Sequence, residues 1–197
     1  MRIHKPSIAR DITIAEDFCA QCAEVREYAL GLEYKTEAYQ GFEYQGIGRG
    51  RACVEDLMAE AMGFPVDIQM QFFRLGVVGD RLTSWIHADS VCADWACVWY
   101  LTPDDLVQKG TGTGFWRHRH LGWRGLPAGR IDQQMADRLN ADGQTEEAWE
   151  LEEIVAMRFN RAVFYPTSLF HGRYPEAAFG DDLQTGRLIW CSFFNKA

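Results

Sequence analysis

Between residues 67 and 194 the sequence returns repeatedly to short runs of Val, Ile, Trp, Tyr and Phe set apart by turn residues. This texture restricts the fold more than any other feature. The runs are Asp67–Val78, Leu82–Ala88, Asp94–Leu101, Arg161–Tyr165 and Leu188–Phe194, with turns at Gly79-Asp80, Thr102-Pro103-Asp104-Asp105 and Gly110 to Gly114. Branched and aromatic side chains suit a pleated, half-buried surface, and Gly, Pro and Asp punctuate it. Several such strands in succession predict a mainly β sandwich or barrel, of which the jelly roll is one form.

The rest of the chain reads differently. Phe18–Leu30 follows Asp17 with apolar spacing and several alanines, so a helix is predicted there, ending at Gly31. A second helix is predicted over Ala52–Met62, stopped by Gly63 with Pro65 beyond, while residues 32–50, rich in Tyr and Gly without helical period, read as loop. Residues 124–158 interrupt the β pattern as a polar insert, helical over Ile131–Asn140 and Glu146–Met157. The expected organisation is one domain over 1–197: a helical flank at 1–65 and a β core at 66–197 carrying the insert 124–158.

Charge and cysteine usage narrow the classes of function. A formal charge of −8 argues against a nucleic-acid partner, since phosphate binding needs a basic footprint. The stretch Arg117-His118-Arg119-His120 is too short to reverse this, although it can attract an anionic group. No run reaches the length of a membrane span, and the start, MRIHKPSIAR, has no apolar h-region. Six cysteines are then expected as free thiols in a reducing cytoplasm, with Cys19-x-x-Cys22 as buried helix residues. Nothing in the sequence speaks to oligomeric state.

Three features carry chemistry. His87-Ala88-Asp89 ends the run Trp85-Ile86-His87, and residues i and i+2 of a strand face the same side, so an imidazole and a carboxylate converge. That pair suits Fe(II), Mn(II) or Zn(II). His171 lies eighty-four residues downstream, after the apolar run Ala162–Tyr165 and the turn Pro166-Thr167-Ser168. A jelly roll can bring the two together at its mouth, forming two histidines and a carboxylate on one face of a metal. Arg187 opens the last run, and its guanidinium fork matches a carboxylate. Each feature alone is common in a protein core; their order along the chain is what gives them weight.

In that order the chain resembles the Fe(II)/2-oxoglutarate-dependent dioxygenase superfamily, in its prolyl-hydroxylase-like branch, over about residues 66–195. The resemblance lies in Gln71-Phe-Phe-Arg74-Leu75, then His87-Ala88-Asp89, Val98-Trp-Tyr100-Leu101, the turn Gly112-Thr113-Gly114-Phe115, Val163-Phe-Tyr-Pro166 leading to His171, and Arg187. Asp17-Phe18 and Val25–Leu30 extend it to a little-characterised bacterial branch. It departs in the Gly-Thr-Gly turn and in a long spacing from His171 to Arg187, so that Pro175–Gly186 is expected to bulge outward.

The resemblance implies a double-stranded β-helix, cupin-like, with N-terminal helices and a helical insert. It implies His87, Asp89 and His171 as ligands of Fe(II) and as the catalytic set. Arg187, helped by Tyr100, would hold the far carboxylate of 2-oxoglutarate, and O2 would be consumed with release of succinate and CO2. A register error of one residue would exchange Tyr100 for Trp99. Because Asp89 is retained where halogenating relatives have a small residue, hydroxylation, desaturation or ring formation is expected. His118, His120, Arg173 and Trp116 are candidate substrate contacts; a surface loop for the histidines, a salt bridge for Arg173 and a core role for the tryptophans are the plainer alternatives. The substrate is expected to be a small molecule or an amino-acid or peptide type compound. A cupin-like metalloenzyme that does not use 2-oxoglutarate, and a jelly-roll ligand-binding module, are the competing readings.

Overall fold

The computed structural model describes all residues except 7–10, 40, 41, 81, 83, 84, 90, 91 and 130. Eleven strands and three α-helices run in the order β1 (Arg2–His4), β2 (Thr13–Glu16), α1 (Cys22–Leu30), β3 (Tyr34–Tyr39), β4 (Phe42–Gly48), α2 (Glu55–Met62), β5 (Val66–Gly76), β6 (Trp95–Tyr100), β7 (Gly112–His118), α3 (Gln133–Asp142), β8 (Trp149–Ala156), β9 (Ala162–Pro166), β10 (His171–Tyr174) and β11 (Arg187–Lys196) among the described residues. They form an antiparallel eight-stranded sheet, β1-β2-β9-β6-β11-β5-β4-β3, and a three-stranded sheet, β10-β7-β8. The two face one another as a double-stranded β-helix, mainly β as the strand texture predicts.

Alternation along the strands sorts side chains into two interiors. On β6 and just past its end, Cys97, Trp99 and Leu101 join Phe18, Met58, Trp190 and Phe194 beneath α1 and α2. Ala96, Val98 and Tyr100 point the other way, between the sheets, with Phe115, Val155, Val163, Tyr165 and Ile189. A third cluster, built on Trp85, Trp116, Trp149 and Phe170, lies outside the small sheet, where α3 adds Leu139. Register therefore places Tyr100 between the sheets and Trp99 under the helices. Cys22 opens α1 and Cys19 precedes it, so only one of the pair is a helix residue; both are buried, and all six cysteines are free.

Several elements differ from the sequence reading, each for a tertiary reason. Glu146–Met157 is not a helix: a single 3-10 turn at Glu146–Ala148 leads into β8, which pairs with β7. A bulge at Phe115/Trp116 puts Trp149 and Leu151 on one face of the sheet and Val155 on the other, although all three share parity. This breaks the period-2 signal on which strand recognition depends. Residues 32–50 hold the hairpin β3–β4 rather than a loop, joined to β5 through Ile47↔Arg74 and Gly48↔Phe73. Its glycines suppress strand propensity, yet Gly46 is required: at φ +70° a Cβ would lie 1.9 Å from the Leu75 carbonyl oxygen.

The flank 1–65 accordingly carries four strands as well as two helices, among them the fully buried β2. Gly110–Gly114 is a turn only in its first half, since Gly112 opens β7. The segment Pro175–Gly186 folds back instead of bulging out, burying Ala178 and Phe179. The expected strand Leu82–Ala88 shrinks to a one-residue bridge, His87↔His171; positions 83 and 84 lie outside the described residues. No helix of the described residues is long and apolar enough to cross a membrane.

Candidate metal centre

The bridge that replaces the expected strand builds the site. His87 and His171 exchange both backbone hydrogen bonds, 3.0 and 2.9 Å, which joins the 85–89 segment to the outer edge of β10. Two further bonds fix the segment downstream: Asp89 N–H donates to Thr167 O at 2.8 Å, and Cys92 N–H to Asp89 O at 2.9 Å. Close approach depends on Gly172, where a Cβ would stand 2.2 Å from the Trp85 carbonyl oxygen. Trp85 is in turn tied to β10 through its indole N–H, which donates to Arg173 O at 2.6 Å.

His87, Asp89 and His171 thus come together, with ligand atoms all within 4.8 Å of one another. His87 Nε2 lies 3.6 Å from Asp89 Oδ1, and His171 Nε2 lies 3.1 Å from Asp89 Oδ2. Each ring is oriented from behind: His87 Nδ1 contacts Trp85 O at 3.1 Å and His171 Nδ1 contacts Leu169 O at 2.9 Å. A carbonyl oxygen only accepts, so in both rings Nδ1 carries the hydrogen. In the neutral imidazole Nε2 then presents a bare lone pair toward the carboxylate. Tyr165 and Phe115 pack on the His171 ring, at 4.6 and 6.4 Å between centroids.

The electrostatics favour the ligand forms. Burial, with help from His171 and Arg74, lowers the His87 pKa against the pull of Asp89, which keeps the imidazole neutral. Burial alone would raise the Asp89 pKa, but His87, His171 and Arg74 outweigh it and hold the carboxyl at about 2. An ionised carboxylate beside two imidazoles whose Nε2 atoms turn toward it suits Fe(II) or another divalent first-row metal. The donor set therefore fits such an ion.

A cavity of about 280 Å³ opens beside the triad between the two sheets. Met70, Phe72, Val98, Ile189 and Phe193 contribute apolar walls, and Arg74, Arg173 and Arg187 reach into it. Arg187 is 6% exposed; its Nη2 has only a 3.5 Å contact to Gly112 O, and its Nε has no partner. Burial pulls its pKa below the usual arginine range, against the phenol of Tyr100. Arg173 donates through Nε to Glu176 O at 2.6 Å and has Asp80 at 3.8 Å, while its buried Nη2 is unpaired. Burial, then Arg187 and Arg74, bring the Arg173 pKa down to about 10.

Other expected site residues fall elsewhere. Tyr100 is fully buried, and its hydroxyl is engaged by Thr113 Oγ1 at 2.7 Å and Val155 O at 3.2 Å, so it supports Arg187 from behind, 5.9 Å from ring to guanidinium, instead of facing the cavity. His118 does not line the cavity. It is enclosed, with Nε2 3.0 Å from Asp142 and Trp149 packed on its ring, because β7 alternation turns it toward the outer cluster. Trp116 goes the same way, against Trp85 and Tyr174, and His120 is exposed away from the cavity. Tyr165 and the thiols of Cys92 and Cys191 line the cavity unanticipated. Arg74 lines it too, although the run Gln71–Leu75 had singled it out without a role; the two-residue step from Phe72 to Arg74 to Gly76 along β5 was the available signal.

Comparisons with known proteins agree with this architecture. A family model described as a family of unknown function, DUF6445, matches residues 80–194, which include the triad and Arg187. No curated protein matches the sequence. Among solved structures, AviO1 from Streptomyces viridochromogenes Tue57 is similar over 93% of this chain and 89% of its own, with TM-score 0.55 and 14% identity. The epimerase SnoN in complex with Fe3+, alpha-ketoglutarate and nogalamycin RO matches over 95% and 79%, with TM-score 0.57 and 12% identity. HygX from Streptomyces hygroscopicus, with nickel, 2-oxoglutarate and hygromycin B bound, matches over 95% and 83%, with TM-score 0.51 and 12% identity. At these identities the likeness is one of fold.

Proposed function

Because the chain belongs to the DUF6445 family of unknown function, its chemistry has to be read from its own site, and we propose that it is a non-haem Fe(II)- and 2-oxoglutarate-dependent oxygenase that hydroxylates a small organic substrate. The observation that carries this reading is the pair of imidazoles whose Nδ1 hydrogens are spent on backbone carbonyls, aiming both Nε2 lone pairs at one ionised carboxylate. His87, Asp89 and His171 are the proposed metal ligands. Arg187, buried with an unpaired Nε, is the proposed anchor for the far carboxylate of 2-oxoglutarate. SnoN and HygX, which share the fold, were captured with a metal and this co-substrate, and that supports the pairing here. The order of motifs from Gln71 to Arg187 keeps the prolyl-hydroxylase-like branch as the working placement.

Bound together, ferrous ion and 2-oxoglutarate supply oxidising power from O2, with succinate and CO2 as products. The protein's part is to bind, orient and exclude. The 85–89 segment and β10 hold the ligand face rigid through paired backbone bonds. Arg187 selects a dicarboxylate by charge and by its planar fork. Tyr100 keeps Arg187 in place, and the apolar walls shield the site from bulk water.

The test is an anaerobic titration of the protein with Fe(II) and 2-oxoglutarate, followed by optical absorption. The chelate is expected to give a weak visible charge-transfer band that is lost in Asp89→Ala. A flat spectrum with the wild-type chain, or full succinate release by Asp89→Ala, would sink the assignment. Product mass settles the reaction type: hydroxylation adds one oxygen atom, whereas epimerisation leaves the mass unchanged.

A further inference from the structure

Among the described residues four arginines line the cavity, and only some have their charge answered. Arg49 is held by a two-pronged ion pair to Glu37 at the mouth. Arg173 has Asp80 at 3.8 Å and Glu176 O at 2.6 Å, leaving Nη2 buried and unpaired. Its guanidinium lies against Gly76, where a Cβ would come within 2.8 Å of Nη1, so the chain keeps a glycine under it. Arg187 is the proposed anchor of the co-substrate. Arg74 is half-buried on β5 between Phe72 and Gly76, and its guanidinium makes no hydrogen bond or ion pair among the described residues.

Charge counting shows what is missing. A divalent ion, Asp89, a doubly charged 2-oxo acid and Arg187 together leave no net charge. Arg74 then adds one positive charge that none of the described lining residues answers, and a half-buried unanswered cation is costly. Carboxylates that could take a cationic substrate are absent among the described lining residues, since Glu37 is committed to Arg49 and Asp89 sits between two imidazoles. The remaining surface is apolar, through Met70, Phe72, Trp85 and Phe193.

We infer that the substrate is an apolar small molecule bearing a single carboxylate and no free amine, its carboxylate held by Arg74 with Arg173 behind it, beside the 2-oxoglutarate on Arg187. This deepens the proposed function and rests on it. The fork of Arg74 binds the acid at one end, and the apolar walls hold the body of the molecule against the triad.

The experiment uses the full chain under nitrogen, with Mn(II) in place of iron, in calorimetric titrations. Binding of 2-oxoglutarate is measured first; 3-phenylpropanoate, 3-phenylpropanamide and phenethylamine are then titrated into the protein saturated with Mn(II) and 2-oxoglutarate. The acid is expected to bind about tenfold or more tightly than the amide, and the amine least. Arg74→Gln is expected to erase the preference for acid over amide while leaving the 2-oxoglutarate Kd within about threefold, and Arg74→Lys to keep part of it. Arg173→Gln is expected to weaken the acid less than Arg74→Gln does. Equal binding of acid and amide, binding of neither, or loss of 2-oxoglutarate in Arg74→Gln overturns this inference alone. Failure of the wild-type chain to bind 2-oxoglutarate overturns the reading of the site as well.

Discussion

Two sets of arginines, both withdrawn from solvent, are treated in opposite ways. On the flank of β9, Arg161 spends every nitrogen: Nε on both oxygens of Glu16 at 3.0 and 3.1 Å, Nη2 on Glu16 at 2.7 Å, and Nη1 on Ala156 O at 2.6 Å. Arg26 likewise bonds the carbonyls of Leu101 and Gln184. In the cavity, Arg187 and Arg173 each keep a buried nitrogen without a partner, and the Arg74 guanidinium has no hydrogen-bond or ion-pair partner among the described residues. Burying a charge is tolerable when its hydrogen bonds are filled and costly when they are not. The first set therefore holds the fold together, and the second keeps donors free for the anions proposed to bind there.

That contrast is sharpest at the triad, where ligand loss should cost most. Asp89→Ala is expected to weaken Fe(II) or Mn(II) binding by about a thousandfold, beyond the ~10–100-fold typical of outer-shell changes; calorimetry or metal-competition assays measure it. The metal-free variant is expected to melt somewhat lower than wild type at neutral pH, because a carboxyl held at about 2 by its neighbours adds stability to the fold there.

Next is the structural pair. Arg161→Gln is expected to cost about 3 kcal/mol, since it leaves Glu16 buried with its main partner gone. That corresponds to a fall of roughly 10 °C in Tm for a chain of this size. Burial tends to raise the Glu16 pKa, but hydrogen bonds from Arg161 and His4 prevail and lower it. The carboxylate therefore adds stability above the ordinary glutamate range, near 4.3, and that stability is lost as pH falls through the depressed value. Melting curves of wild type and Glu16→Gln should converge as pH drops below about 4 and diverge toward neutrality.

Arg187→Gln should behave in the opposite sense to Arg161→Gln. The metal-free chain should keep or raise its Tm, while 2-oxoglutarate affinity falls about thirtyfold, near 2 kcal/mol. A drop in Tm without a drop in affinity would erase the distinction between the two sets. The smallest effect is expected from Tyr100→Phe, which removes bonds to Thr113 and Val155 for about 1 kcal/mol of stability. Its 2-oxoglutarate affinity should change by less than about threefold.

Legibility in the sequence followed the range of the forces involved. Helix α2 and its stop at Gly63, which adopts φ 75° with its N–H on Ala59 O, are local events and were readable. So were β5, β6, β9 and β11, whose sequences are rich in branched and aromatic residues. The hairpin β3–β4 and strand β8 were not, because glycines and a bulge hide their period and only pairing with β5 and β7 makes them strands. Similarly, His118 and His120 look like a site by spacing, yet β7 turns one of them into the outer core and leaves the other in solvent.

The amino-acid sequence by itself determined the mainly β character, the identity and order of the triad residues, and Arg187 as the opening of the last strand. The β character follows from side-chain type, and the triad and Arg187 from strand alternation together with the order of motifs and the family resemblance it carries. Only the tertiary structure decided that the expected strand at 82–88 is one bridge on β10, that both imidazoles turn Nε2 inward, and that Arg74 stands unanswered beside them. Each of these depends on which distant backbone or charge lies opposite, and spacing along a chain does not carry that information.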